Sequence, residues 1–273
     1  MFRPKTPTTK SGAALEILGV TFHAAVRRIR KSHRNAAYGL VMNILQSVIF
    51  VMVFYWTFEL LGLRGTAVRG DFLLYIMTGV FMFMTHTKTL GAVSGAENST
   101  SPMMKHAPMN TLVSIGAASL ATLYIQFLSA AAILFFYHVA FTPITIERPV
   151  PVLGMFLLAW GTGIGIGMIF MAARPWAPDA FGLAATIYSR ANLIFSGKMF
   201  LANTLPGYLL VMFLWNPLFH IIDQTRGFVF LNYTPRYTSV SYPIKVMIGC
   251  FMVGLIAEFY TRKHASASWS AGR

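Results

Sequence analysis

From Thr111 to Ile146 the chain runs for 36 residues without one charged side chain. About 20 apolar residues cross a bilayer as a helix, so this run holds one crossing with residues to spare. A span is expected over 111–141, ending near Phe141–Pro143. The run is not isolated, because Asn35–Phe58 is uncharged over 24 residues. Further apolar segments place spans at 35–60, 71–93, 150–173, 180–202 and 242–260. Composition agrees: 56% of residues are hydrophobic, 11% are charged, and mean hydropathy is +0.60. These values belong to polytopic membrane proteins. The expected fold is all-α, a single membrane domain over 1–273 with six transmembrane helices.

The net charge of +14 raises the question of nucleic acid, and its placement answers it. Eight of the 22 Lys and Arg residues precede Asn35 and three follow Tyr260. That distribution reads as membrane topology and attraction to lipid headgroups, with no nucleic-acid partner. With both termini cytoplasmic, the inner side holds 14 of the 22 and the outer segments hold Arg64, Arg69, Arg148, Arg226 and Arg236. Lys88 lies near the inner end of its span, where it can snorkel. Residues 1–11 form a basic tail without the apolar core of a cleavable signal. Over 12–34, Leu15, Leu18, Phe22, Val26 and Ile29 recur at helical spacing, with Arg27, Arg30, Lys31 and Arg34 mostly opposite. A basic helix lying in the membrane interface is expected. The lone Cys250 allows no internal disulfide.

The segment from Ala180 to Tyr237 departs from simple spanning. Arg190 falls near the middle of an apolar span, a placement that costs a few kcal/mol unless protein or water shelters it. The following run, LPGYLLVMFLWNPLFHII, is broken by Pro206 and Pro217 and is too short to cross comfortably. Broken backbone at membrane depth is tolerated where protein buries it or a cavity wets it. A re-entrant excursion is therefore expected over 206–232. A complete crossing would put Arg262 and Lys263 outside, against the charge bias.

GTGIGIG at Gly161–Gly167 contains two overlapping small-xxx-small patterns, Gly161/Gly165 and Gly163/Gly167, which let helices approach closely. FSGKM lacks the glycine and hydroxyl of a P-loop, so any ATP chemistry belongs to another polypeptide. The seven histidines and eight carboxylates are scattered, so neither a metal site nor a catalytic pair is expected. The conduit candidates are Arg190 and Lys198, then Tyr188, with the outer aromatics Tyr208 and Trp215 as possible stacking surfaces for sugar rings. Tyr208 and Trp215 also suit an interfacial belt, and Arg190 suits a structural pairing with carbonyls freed by a broken helix.

Three stretches, PMMKHAPMNTL, FSGKMFLANTLP and WNPLFHIIDQTRGF, resemble segments of permeases of the ABC-type-two exporter family. The likeness is nearest to the capsular-polysaccharide export branch and extends from the interface helix to the last span. It departs from that branch along Thr111–Ile146, which carries no charge. The resemblance implies a homodimer in the bacterial inner membrane, paired with two copies of an ATPase that binds ATP and magnesium. The cargo would be a lipid-linked polysaccharide, handed to periplasmic and outer-membrane export partners. A coupling helix at 99–110 is implied, with Ser99, Pro102, Lys105, His106 and Asn110, joined by Arg27, Arg30 and Lys31 of the interface helix. The outer gate would be built around Pro206, Asn216, Pro217, His220 and Arg226. O-antigen or teichoic-acid export is the alternative within transport. An integral-membrane glycan-modifying enzyme is the alternative outside it, and dispersed carboxylates weigh against that.

Overall fold

A computed structural model describes residues 10–32, 36–60, 62, 71–97 and 110–264. Within these residues the chain is all-α, without strands. The helices are α1 (Lys10–Ser32), α2 (Ala36–Leu60), α3 (Phe72–Ser94), α4 (Thr111–Ala140), α5 (Pro149–Ala173), α6 (Pro178–Phe195), α7 (Gly207–Phe213), α8 (Pro217–Val229) and α9 (Ser241–His264). Four of them contain segments long and apolar enough to cross a membrane: Ala37–Leu60, Thr111–Ala140, Pro149–Ala173 and Ser241–His264. The third helix is as long but carries Thr-His-Thr-Lys-Thr over 85–89, and α6 is shorter and holds Arg190.

The middle of the bundle is α5. Of its apolar window 61% is buried, against 17–28% in the other three. Its glycines make that position possible by serving two neighbours at once. A Cβ on Gly161 or Gly165 would lie 2.4 Å from Met247 Sδ or 2.9 Å from Cys250 Cβ, both on α9. One on Gly163 or Gly167 would lie 2.6 Å from the His86 carbonyl or 2.9 Å from Val93 Cβ, both on α3. Each of the two glycine patterns thus seats a different helix. Around this core the outward faces of α2 and α9 present Val41, Leu45, Ile49, Ile248, Val253 and Ile256, as a helix bounded by lipid would.

The two ends of the bundle differ. At the end nearest the chain termini, Arg174 Nη1 donates to the Ser94 carbonyl at 3.1 Å, and Trp176 Nε1 donates to Thr261 Oγ1 at 2.9 Å. The first helix lies against this end, but not through its leucines. Thr21, Ala25 and Ile29 face Gly116, Ala117 and Ala121 of α4, while Leu15, Leu18 and Phe22 are 61–70% exposed. Small residues at Ala25, Gly116, Ala117 and Ala121 let the helices close together, and the bulky Leu15, Leu18 and Phe22 point outward, as a helix lying in a membrane interface would present them. The opposite, distal end is closed by the loop over 141–148, whose Glu147 and Arg148 amides donate to the Val229 and Phe228 carbonyls of α8.

Candidate functional site

The sixth helix stops at Phe195, well short of the distal end, and everything distinctive follows from that break. A helix end buried in apolar surroundings exposes carbonyls that need donors. Lys198 Nζ donates to the Leu193 carbonyl at 2.7 Å, and Asn216 Nδ2 donates to the Phe195 carbonyl at 2.9 Å and to Asn192 Oδ1 at 2.7 Å. Gly197, at φ +68, turns the chain away from the helix axis. Its missing side chain also matters, because a Cβ there would sit 2.2 Å from the Phe219 ring.

Beyond the turn, the loop carbonyls converge on Arg226. Its guanidinium donates to the carbonyls of Gly197 (3.1 Å), Phe200 (2.6 Å) and Lys198, and lies 4.0 Å from the centre of the Tyr75 ring. Arg226 is fully buried. One turn earlier on the same face of α8, Asp223 accepts from Ala202 N–H (3.1 Å), the Tyr233 hydroxyl (2.5 Å) and the Thr238 hydroxyl (2.7 Å). A single 13-residue helix therefore grips the chain before it through a cation, and through an anion it ties the chain before it at Ala202 to the chain after it at Tyr233 and Thr238. His220 adds a third stitch: Nε2 donates to the Leu214 carbonyl at 3.0 Å and Nδ1 accepts from Ser239 N–H at 3.1 Å.

This arrangement settles where the gate candidates sit. Asn216 caps α8 by accepting from Leu218 N–H at 3.0 Å, and Pro217 occupies its first turn, where a missing N–H does no harm. Pro206 precedes α7 and is exposed. Among the conduit candidates, Lys198 is 3% exposed and its ammonium lies 3.9 Å from the centre of the Phe83 ring, with Phe54 and Phe50 beyond. Those rings belong to α3 and α2, so Lys198 sits inside the bundle and not at its distal rim. The loop turning back at Gly197 puts it there. Tyr208 and Trp215 are 75% and 80% exposed.

Arg190 contrasts with both buried cations. It lies on an exposed stripe of α6 with Leu183, Thr186, Ile187, Leu193 and Ile194. Among the described residues it meets no hydrogen-bonding or ionic partner. On the opposite side of α6, Tyr188 is half-buried, and its hydroxyl lies 3.3 Å from His86 Nε2. His86 Nδ1 lies 3.0 Å from Thr162 Oγ1, which donates to the Ala159 carbonyl at 3.0 Å. This chain of groups ties α6 to α3 and α5, so Tyr188 and Arg190 face different surroundings and do not converge.

At the termini end, Arg27 and Arg30 are exposed on α1, and Lys31 lies in its last turn. Arg28, which sequence reasoning passed over, instead turns inward and donates to the Ala92 carbonyl at 3.0 Å. Burial pushes its guanidinium below the usual arginine range, opposed by the nearby Glu97 carboxylate. Asn110 caps α4, accepting from Leu112 N–H at 3.4 Å. Ser99, Pro102, Lys105 and His106 lie outside the described residues, as does most of the expected coupling helix.

Sequence reasoning also missed Asp223, His86, Thr162 and Asn192. For Asp223 a signal existed. It precedes Arg226 by three residues in a helix with no other Asp, Glu, Lys or Arg, which puts both charges on one face. Among the described residues, no group of three or more His, Cys, Asp or Glu could hold a metal ion. No protein-family model matches the chain, and no curated protein matches it.

Proposed function

We propose that this chain is the membrane-spanning subunit of an ATP-driven exporter, working as a pair with two copies of a separate ATPase. On this reading α2, α3, α4, α5, α6 and α9 form six crossings, with both termini cytoplasmic in a bacterial inner membrane. Its cargo is a lipid-linked polysaccharide of the capsular type, or the chemically related O-antigen or teichoic-acid chain. The chain then has no catalytic residue of its own, and α1 with the segment before Asn110 receives the motion of the ATPase.

One observation carries the proposal: among the described residues Arg190 stands without a partner, on a largely apolar, exposed face of α6. Facing lipid, a mid-span guanidinium costs a few kcal/mol, so that face asks for water or a second protein surface. A seam between two α6 faces supplies both. Within it Arg190 meets anionic or hydroxyl-rich cargo, with Thr186 one turn away. The knot around Arg226 supports the same reading from the other side. It holds the short α7–α8 pair rigidly at the distal end, where a re-entrant cap would close a pathway.

The test has two arms. In a host whose surface polysaccharide depends on this chain, Arg190→Leu is expected to reach the membrane at normal level and to reduce export at least tenfold. In a background with Cys250→Ser, cysteine at position 190 is expected to crosslink between two copies. Normal surface polysaccharide from Arg190→Leu, or a residue 190 reachable only by lipid-borne reagents, would overturn the proposal.

A further inference from the structure

Near the termini end, α2, α3 and α4 enclose a cavity of about 300 Å³ that the pathway just described does not use. Its polar wall is made by Asn43, Gln46, Lys88, Thr122 and Gln126. Asn43 Nδ2 donates to Ser129 Oγ at 2.8 Å, and Gln126 Nε2 donates to Asn43 Oδ1 at 3.1 Å. Carboxamides in these roles join helices inside apolar surroundings, and they need no cation to do so. Yet Lys88 is there, with its ammonium 2.6 Å from Gln46 Oε1 as its one hydrogen bond among the described residues. Two of its three protons remain open. Among the described residues, no carboxylate lines the cavity.

We propose that this cavity is a binding site for the phosphate-bearing headgroup of an anionic membrane lipid. Lys88 supplies the charge. Asn43 and Gln126 each keep a further N–H, and Thr122 lines the wall between them. Depth fits as well. Lys88 lies six residues from the end of α3, about 9 Å at 1.5 Å per residue, within reach of a headgroup for a side chain that extends toward the interface. Ala92 lines the cavity, but Arg28, whose guanidinium is bound to its carbonyl, does not, so Lys88 is the one cation among the described residues that lines it. Glu97, the carboxylate that acts on Arg28, does not line the cavity. The site depends on the chain residing in a membrane and not on the transport reading, so each can fail alone.

Native mass spectrometry of the detergent-purified protein tests it, with phosphatidylglycerol and phosphatidylcholine of identical acyl chains added in equal amounts. The unaltered chain and Lys88→Arg are expected to retain phosphatidylglycerol in about fivefold preference, the size of one cation's contribution at an anionic lipid surface. Lys88→Gln is expected to bring the ratio near one. Should that variant not fold, Gln46→Glu carries the test, because it neutralises Lys88 in place and is expected to erase the same preference. A preference that survives in Lys88→Gln or Gln46→Glu, or is absent from the unaltered chain, overturns the site. Displacement of the lipid by millimolar inorganic phosphate, or equal retention of a neutral glycolipid, would also overturn it, by showing a small-anion or sugar site instead.

Discussion

Arg226 and Arg190 carry the same guanidinium into the same apolar bundle, and the protein treats them in opposite ways. Arg226 is fully buried, with three backbone carbonyls and the Tyr75 ring around it. Arg190 is exposed on a stripe with leucine and isoleucine, with no partner among the described residues. The difference lies in the backbone nearby. Around Arg226 the chain is broken, and the break exposes carbonyls that need donors. Around Arg190 the helix is continuous, so its carbonyls already have partners. A cation at membrane depth is therefore structural where it mends a broken helix and available where it does not. By that criterion Lys198, which takes the Leu193 carbonyl, belongs with Arg226.

The largest effect expected from breaking this contrast is at Arg226. Arg226→Met keeps the length of the side chain but leaves the carbonyls of Lys198 and Phe200 without their donor in a dry interior, and that of Gly197 with only the Phe200 N–H. A loss of about 3–5 kcal/mol is expected, as when one partner of a buried polar cluster is removed. Thermal unfolding in detergent should show it as a large fall in Tm with little folded protein recovered. A variant as stable as the unaltered chain would mean that the carbonyls find other donors, and the distinction between the two arginines would collapse.

Gly197→Ala comes next. The residue sits at φ +68, where an L side chain is strained, and its Cβ would overlap the Phe219 ring, itself almost fully buried. About 2–3 kcal/mol is expected from the two costs together, since Phe219 has little room to retreat. The same unfolding measurement checks it. A neutral result would show that the turn after α6 is not fixed by its neighbours, and the knot would be looser than its hydrogen bonds imply.

Much of this architecture could be read before any coordinates, and the parts that could not share a cause. Apolar run length placed five of the six expected long helices to within a few residues, because it is a local property of the chain, but carried the one over 180–202 past its end at Phe195. The two glycine patterns predicted close packing, and both are used, one toward α3 and one toward α9. The Pro206 and Pro217 breaks foretold a broken segment where α7 and α8 lie. What escaped was partnership over long sequence separation. Arg226 pairs with carbonyls that precede it by more than 25 residues, and His86 meets Tyr188 from more than 100 residues away. Depth escaped too. The span expected over 180–202 carried Lys198 onward from Phe195, and Gly197 ends that extrapolation. The packing of α1 on α4 through Thr21, Ala25 and Ile29 escaped for a related reason, because periodicity finds the apolar stripe but not the face that meets a neighbouring helix.

The smaller predictions sharpen the comparison on α6 itself. Tyr188→Phe removes a hydroxyl 3.3 Å from the fully buried His86 ring and leaves Nε2 without its partner. About 1 kcal/mol of destabilisation is expected from that loss, visible as a modest fall in Tm. A null result would mean that the long contact contributes nothing, and that α6 is held chiefly by its end at Asn192, Asn216 and Lys198.

Arg190→Leu is expected to have the smallest effect of all on the isolated chain. An exposed side chain without a partner contributes within about 0.5 kcal/mol to stability, and replacing it with leucine extends the apolar stripe already formed by Leu183, Ile187 and Ile194. Unfolding in detergent should give a Tm indistinguishable from that of the unaltered protein, or slightly higher. The informative measurement is the difference between this variant and Arg226→Met under identical conditions. If both lose several kcal/mol, Arg190 is engaged within the folded protein after all, and its exposed face cannot be the one awaiting a second copy. If only Arg226→Met is unstable while Arg190→Leu fails in the cell, then Arg190 acts through something outside its own protomer.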